Sequence, residues 1–273
     1  MDATRRFFIS ADLEGVAGVV ASEELRPGKA EYDWARRLLA DEVNAAVRGI
    51  RRADAAAEVV VSDGHGGYRN ILPADLDPTA TLLRGKPRPL AMVDGIRSGD
   101  EALFIGYHPR AGVRGTLSHT FDDAVVDLRC NGRPLGEAGL NAAVLTEVGA
   151  TLLLVSGSDA LAAEVAELSA DVGTVVVSTA VSSSAAESVH PSVACERIED
   201  AVHALVTARG GGHVRIEGPV TVDVDLAFAV QADAASVPPP VTRTGERSVR
   251  VVAPTMAEAY RWIRTIVALA AHR

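Results

Sequence analysis

The stretch RRFFISADLEG, residues 5–15, runs Phe7, Phe8 and Ile9 straight into two carboxylates, Asp12 and Glu14. An apolar run without alternation reads as a strand buried on both faces, and such strands belong to parallel sheets covered by helices on either side. Asp12 and Glu14 then fall just past the strand's carboxyl end, where open α/β sheets bind their ligands. Two like charges so close repel each other unless something positive lies between them.

The same pattern recurs along the first half of the chain. EYDWARRLLADEVNAAVRGIRRA (31–53) carries Trp34, Leu38, Leu39, Val43, Ala46 and Ile50 at helical spacing. AEVVVSDGHGG (57–67) is a strand ending in Asp63 and His65, and EALFIGYHPR (101–110) is a strand ending in His108. ATLLLVSGSDALAAEVAEL (150–168) is a strand, a helix cap at Ser158 or Asp159, and a helix; GTVVVSTAV (173–181) is one more strand. The fold class expected is α/β, a mostly parallel sheet flanked by helices.

The tail reads differently. PVTVDVDLAFAV (219–230) alternates Val220, Val222, Val224 and Leu226 with Thr221, Asp223 and Asp225, the signature of a strand solvated on one side. A turn segment (237–248), a strand VRVVA (249–253) and a closing helix (256–271) follow. The expected organisation is an α/β catalytic unit over residues 1–212 and a smaller C-terminal α+β unit over 213–273.

Composition narrows the function classes. The chain has 273 residues, 48% of them hydrophobic, which supports a sizeable core. Its net charge of −9 argues against a nucleic-acid partner, whose phosphates need clustered Lys and Arg. No apolar run reaches the roughly 18 residues of a membrane span. Asp12 interrupts the N-terminal apolar run too soon for a signal-peptide core of about 7–15 residues, so a cytosolic location is expected. Cys130 and Cys195 are too few for a disulfide framework and show no CxxC spacing.

Three expected strand ends thus carry metal-competent groups: Asp12 and Glu14, then Asp63 and His65, then His108. Each alone has a bland explanation; gathered on one sheet edge they form the carboxylate and imidazole set of zinc or another first-row divalent metal. A carboxylate can bridge two metals about 3.5–4 Å apart, which removes the repulsion at Asp12 and Glu14. GTLSHT (115–120) adds His119 in a loop, and NGRPLGEAGLNAAVLTEVGA (131–150) adds Glu137 at a helix start, where it would also complement the helix dipole. Asn141, one turn on, either orients substrate or is a plain helix residue.

Taken together in this order, SADLEG, VSDGHGG, MVDG, FIGYHPR, GTLSHT, RPLGEAGLNA and LLLVSGSDALAAEVAEL resemble the binuclear-zinc D-aminopeptidases associated with bacterial dipeptide-transport operons. The likeness covers roughly residues 7 to 200. It implies a peptidase with two zinc ions per chain, Asp12 bridging them and Glu14, His65, His108 and Glu137 completing the ligand set. It makes His119 the catalytic histidine, acting as nucleophile, proton shuttle or oxyanion stabiliser. It further implies a short-peptide substrate and a homo-oligomer, in the form of a closed ring, with sites facing an enclosed chamber. Two rivals stay open on the residues alone. A two-metal phosphoesterase would also use Asp63-Gly64-His65, although SGDEALF (98–104) lacks its GDxxD motif and no GNH follows. A metal- or small-molecule-binding module on the same fold would keep the ligands but has no use for His119.

Overall fold

The computed structural model describes residues 4–271; Met1–Ala3 and His272–Arg273, the outer ends of the two expected units, lie outside the described residues. The first strands and helix are β1 (Arg6–Ala11), α1 (Tyr32–Ala53), β2 (Glu58–Asp63), β3 (Thr81–Leu83) and β4 (Glu101–Tyr107). Next come β5 (Val125–Cys130), β6 (Arg133–Pro134), α2 (Glu137–Val148), β7 (Thr151–Ser158), α3 (Asp159–Leu168), β8 (Gly173–Ser182), β9 (Ala185–Ser188) and α4 (Pro191–Ala208). The chain closes with β10 (Val220–Leu226), α5 (Ala229–Ala235), β11 (Thr242–Arg243), β12 (Ser248–Ala253) and α6 (Met256–Ala271).

The main sheet has the order β3-β2-β1-β4-β7-β8-β9. Its pairings are parallel except for the antiparallel β8–β9 edge, so the expected mostly parallel α/β sheet is the one that forms. The pleat explains the unbroken apolar runs. Phe7 and Ile9 point into the core shared with α1 and α4, whereas Phe8 points to the opposite core with α2 and α6. Val59 and Val61 repeat the division against Val60, and Leu103 and Ile105 repeat it against Ala102 and Phe104. Helices on both faces leave no solvated side to mark with polar residues. Among the described residues no helix is long and apolar enough to cross a membrane.

Trp34 departs from the expected stripe of α1 and is 39% exposed. The expected Leu39, Val43, Ala46 and Ile50 are buried, and Ala35 rather than Trp34 begins the buried stripe. At α3 the cap is Ser158, whose hydroxyl accepts from the Leu161 N–H.

The second sheet is antiparallel, in the order β11-β12-β10-β5-β6, and draws β5 and β6 from residues 125–134. It therefore uses chain from both sides of residue 212. β10 alternates as its sequence requires: Val220, Val222, Val224 and Leu226 are buried in the core that holds Ile263 and Ile266 of α6. On its outer face Asp223 accepts from Arg250 at 2.7 Å and Asp225 from Arg129 at 3.0 Å. The strand stops at Leu226 rather than running on to residue 230, because the Gln231 side chain accepts the Phe228 N–H at 2.9 Å and α5 begins there. Helix α6 packs on this sheet with one flank and on α2 with another, and so carries the tail back to the main sheet.

Candidate metal centre

The chain leaves β1 to build β2 and β3 on one side, then returns to build β4 on the other side. The crevice between the carboxyl ends of β1 and β4 is the topological switch point of the sheet, the usual ligand site of an open α/β fold. Asp12 follows β1 and His108 follows β4, so these two groups flank that crevice. The Asp12 N–H donates to the Ile105 carbonyl at 2.8 Å and the Gly15 N–H to the Gly106 carbonyl at 2.8 Å, which fixes the 12–15 turn against β4.

Close approach demands glycine at this contact. Gly106 has φ +72°, and a Cβ there would lie 2.2 Å from the Asp12 carbonyl oxygen and 2.8 Å from Val16 Cγ2. Gly106→Ala is expected to cost at least about 1–3 kcal/mol through the strained backbone and to dislodge Asp12. Urea unfolding and metal content, measured on one sample, should both fall.

The five expected ligands, Asp12, Glu14, His65, His108 and Glu137, converge with the expected catalytic residue His119. His65 Nδ1 lies 2.9 Å from Glu14 Oε2 and 3.3 Å from Asp12 Oδ1. His108 Nε2 lies 3.5 Å from Asp12 Oδ2 and 3.2 Å from Glu137 Oε1. His119 Nε2 stands 3.7 Å from Glu14 Oε1 and 3.8 Å from Glu137 Oε1, and its ring stacks on that of His108 at 4.0 Å. Glu137 opens α2 and also accepts the Phe121 N–H at 2.7 Å, which ties the His119 loop to the helix.

The carbonyl partners set the histidine tautomers. A carbonyl only accepts, so the ring nitrogen facing it carries a proton, and the other nitrogen is the one a metal can bind. His65 Nε2 faces the Leu25 carbonyl at 3.0 Å, His108 Nδ1 the Pro109 carbonyl at 3.0 Å, and His119 Nδ1 the Leu117 carbonyl at 2.8 Å. Each remaining nitrogen is thereby aimed at the carboxylates, as in sites where an outer partner orients a metal-binding imidazole.

Electrostatics point the same way. Burial and the neighbouring Glu14 push Asp12 up to about 8. Burial would raise Glu14 as well, but His65, His119 and His108 hold it well below the usual carboxylate range. Burial would lower His108, yet Glu137, Glu14 and Asp12 push it up to about 10. The protein alone thus gathers protons here to offset its own carboxylates, and a divalent cation would take their place.

The donor set fits such a cation. Asp12, Glu14 and His65 form one group of converging ligand atoms, and Asp12, His108 and Glu137 form another. His108 Nε2 is buried and has no hydrogen-bond partner among the described residues, an orphan that a metal would satisfy. Glu14, His108 and His119 make a third group, so His119 is also within ligand reach.

Asp63 at the end of β2 and Asn141 in α2 take structural roles instead. Asp63 turns away from the centre, accepting from the Asn70 N–H at 2.6 Å, the Ile71 N–H at 2.8 Å and Asn70 Nδ2 at 2.7 Å. It braces the loop that holds His65 rather than facing a cation. Asn141 is fully buried; its amide donates to Tyr107 Oη at 2.9 Å and its carbonyl accepts from Tyr260 Oη at 2.7 Å. It locks α2 to β4 and α6 and does not face the cavity.

A cavity of about 150 Å³ opens over Asp12, Glu14, His65 and Glu137, and its remaining walls include Tyr68, Lys86 and Arg264. A wider recess of about 520 Å³ adjoins it, shares His119 and Phe121, and carries Asp122 and Asp123. Tyr68, Lys86 and Arg264 have no sequence signal of their own. Arg264 arrives on the closing helix, and Tyr68 follows His65 in a turn where its own φ of +58° swings it inward.

Comparisons with known proteins agree with this geometry. Residues 5–265 match the D-aminopeptidase family. A D-aminopeptidase of Bacillus subtilis (strain 168) is 31% identical over 268 residues, covering 97% of this chain and 97% of its own. The solved structure of the zinc-dependent D-aminopeptidase DppA from Bacillus subtilis, described as a self-compartmentalizing protease, superposes with a TM-score of 0.94 at 30% identity, over 98% of both chains.

Proposed function

Because this chain belongs to the D-aminopeptidase family, we propose that it is a zinc aminopeptidase that removes an N-terminal D-residue such as D-Ala, or Gly, from short peptides or amides through a two-metal site. The observation that carries this reading is the position of Asp12, whose two carboxylate oxygens face His65 on one side and His108 on the other. Asp12 would be shared by two ions, with Glu14 and His65 holding one and His108 and Glu137 the other.

Zinc held there would supply Lewis-acid chemistry, polarising the peptide carbonyl and lowering the pKa of water. The chain's own part is positioning and proton movement. Asp12, Glu14 and Glu137 are buried at the floor of the small cavity, where they would hold the ions that in turn take the substrate's free amine. His119 keeps its Nδ1 proton on the Leu117 carbonyl and presents Nε2 to the cavity, where it accepts or returns a proton as the amide breaks.

Assembly belongs to the same proposal: a closed homo-oligomer that admits only short peptides. Support comes from the relative described as self-compartmentalizing and from the outer face near α5, where Val230 and Val237 are 62% and 76% exposed. Exposed apolar side chains of this kind suit a subunit interface.

The test is chelation followed by zinc restoration. The stripped protein should lose hydrolysis of D-Ala-Gly, regain it with zinc, and leave L-Ala-Gly nearly untouched. Asp12 and His108 hold protons above their ordinary pKa values, and zinc must displace them. Reloading should therefore strengthen as pH rises through about 8 and weaken below it. Equal cleavage of the D- and L-peptides, or full activity without metal, would remove the reading.

A further inference from the structure

We propose that Lys86 and Arg264 form a subsite for the substrate's terminal carboxylate, so that the enzyme selects short peptides with a free C-terminus. This rests on the aminopeptidase reading and adds a second pole to its cavity. The floor carries Asp12, Glu14 and Glu137, which would hold the ions that take the substrate's free amine; the remaining walls carry Lys86 and Arg264. A short peptide has the matching ends, an amine for the metal centre and a carboxylate for the two cations.

Both cations lack an acidic partner. Among the described residues, neither Lys86 nor Arg264 makes an ion pair or hydrogen bond with a carboxylate, whereas the part-buried Arg5 and Arg129 do. Instead each rests on an aromatic ring: Lys86 Nζ lies 4.6 Å from the centre of the Tyr68 ring, and the Arg264 guanidinium 4.4 Å from that of Phe121. Arg88 covers Tyr68 as well, at 4.2 Å, with its Nε buried and unpartnered. The aromatic contacts hold the cations in place without neutralising them.

The cluster is also held together against its own repulsion. Burial first, then Arg264 and Arg88, lower the Lys86 ammonium from its ordinary value. The Gly85 N–H donates to the Tyr68 carbonyl at 2.6 Å, which fixes the backbone beside Lys86 against the wall of the cavity. Lys86 is one of only two lysines in the chain, the other being Lys29. Like charges gathered without a counter-ion form a site that an anion completes.

Charge also sets the direction of the bound peptide. The adjoining recess sets Asp122 and Asp123 against a single cation, Arg26, so the C-terminus is drawn to the Lys86–Arg264 wall. At about 150 Å³ the inner cavity is smaller than the roughly 300–1,000 Å³ of drug-sized sites, which suits a short peptide.

The experiment compares D-Ala-Gly with its C-terminal amide on the zinc-loaded enzyme, Lys86→Gln, Arg264→Gln and Arg264→Lys. The parent should prefer the acid by about tenfold or more, the value of a charge-assisted contact. Each Gln variant should raise KM for the acid and bring the acid-to-amide ratio toward one, while Arg264→Lys keeps much of the preference. Lys86→Gln alone decides the matter if Arg264→Gln disturbs Phe121. A parent that cleaves acid and amide equally, or variants that lower both by the same factor, would overturn the carboxylate subsite and leave the aminopeptidase reading intact. Cleavage of neither compound would overturn both.

Discussion

Asp12→Ala is expected to emerge from purification with neither metal bound and with hydrolysis at background. The two groups of converging ligand atoms share this one residue. Its Oδ1 is 3.3 Å from His65 Nδ1 and its Oδ2 is 3.5 Å from His108 Nε2. Loss of an outer partner of a metal ligand alone costs about 10–100-fold in affinity, and removing a ligand common to both groups exceeds that at each. His65→Ala is the contrast, since His65 belongs to a single group and should weaken mainly that ion. Metal content by plasma mass spectrometry separates the two. Asp12→Ala retaining two zinc ions per chain would end the bridging assignment.

His119→Ala is expected to keep its metals and its fold and to lose turnover by about 10²–10⁴, the range for a proton-transfer group. The contrast with the ligands is one of placement. His65 and His108 sit directly behind strands of the sheet, whereas His119 rides a loop held by the 2.7 Å bond from the Phe121 N–H to Glu137. Its side chain is 21% exposed, against 1% for His108, so it meets both the inner cavity and the wider recess. Nε2 stands 3.7 Å or more from the carboxylates, beyond hydrogen-bond length, so none of them holds it. Zinc stoichiometry and kcat on D-Ala-Gly, read from the same preparation, decide its role. Metal lost along with activity would make His119 a ligand; unchanged kcat would take it out of the chemistry.

What the sequence determined by itself is local. Phe7-Phe8-Ile9, Val59-Val60-Val61 and Leu103-Phe104-Ile105 are apolar on both faces, and a strand with no polar side can lie only inside a layered sheet. Asp12, Glu14, His65 and His108 follow those strands within a few residues, so strand direction alone delivers them to one edge. Glu137 and His119 were legible through the order of motifs around them. Tertiary structure decided which donors actually converge. Asp63 looks as metal-competent as His65 in the chain, but only the folded loop shows its carboxylate satisfied by Asn70 and Ile71. Asn141 became a packing residue because Tyr107 and Tyr260 reach it from distant segments, and Arg264 entered the cavity because α6 folds back over α2. Periodicity and turn chemistry act over a few residues, whereas these contacts close loops of up to more than a hundred, where nothing but packing fixes which side chain arrives.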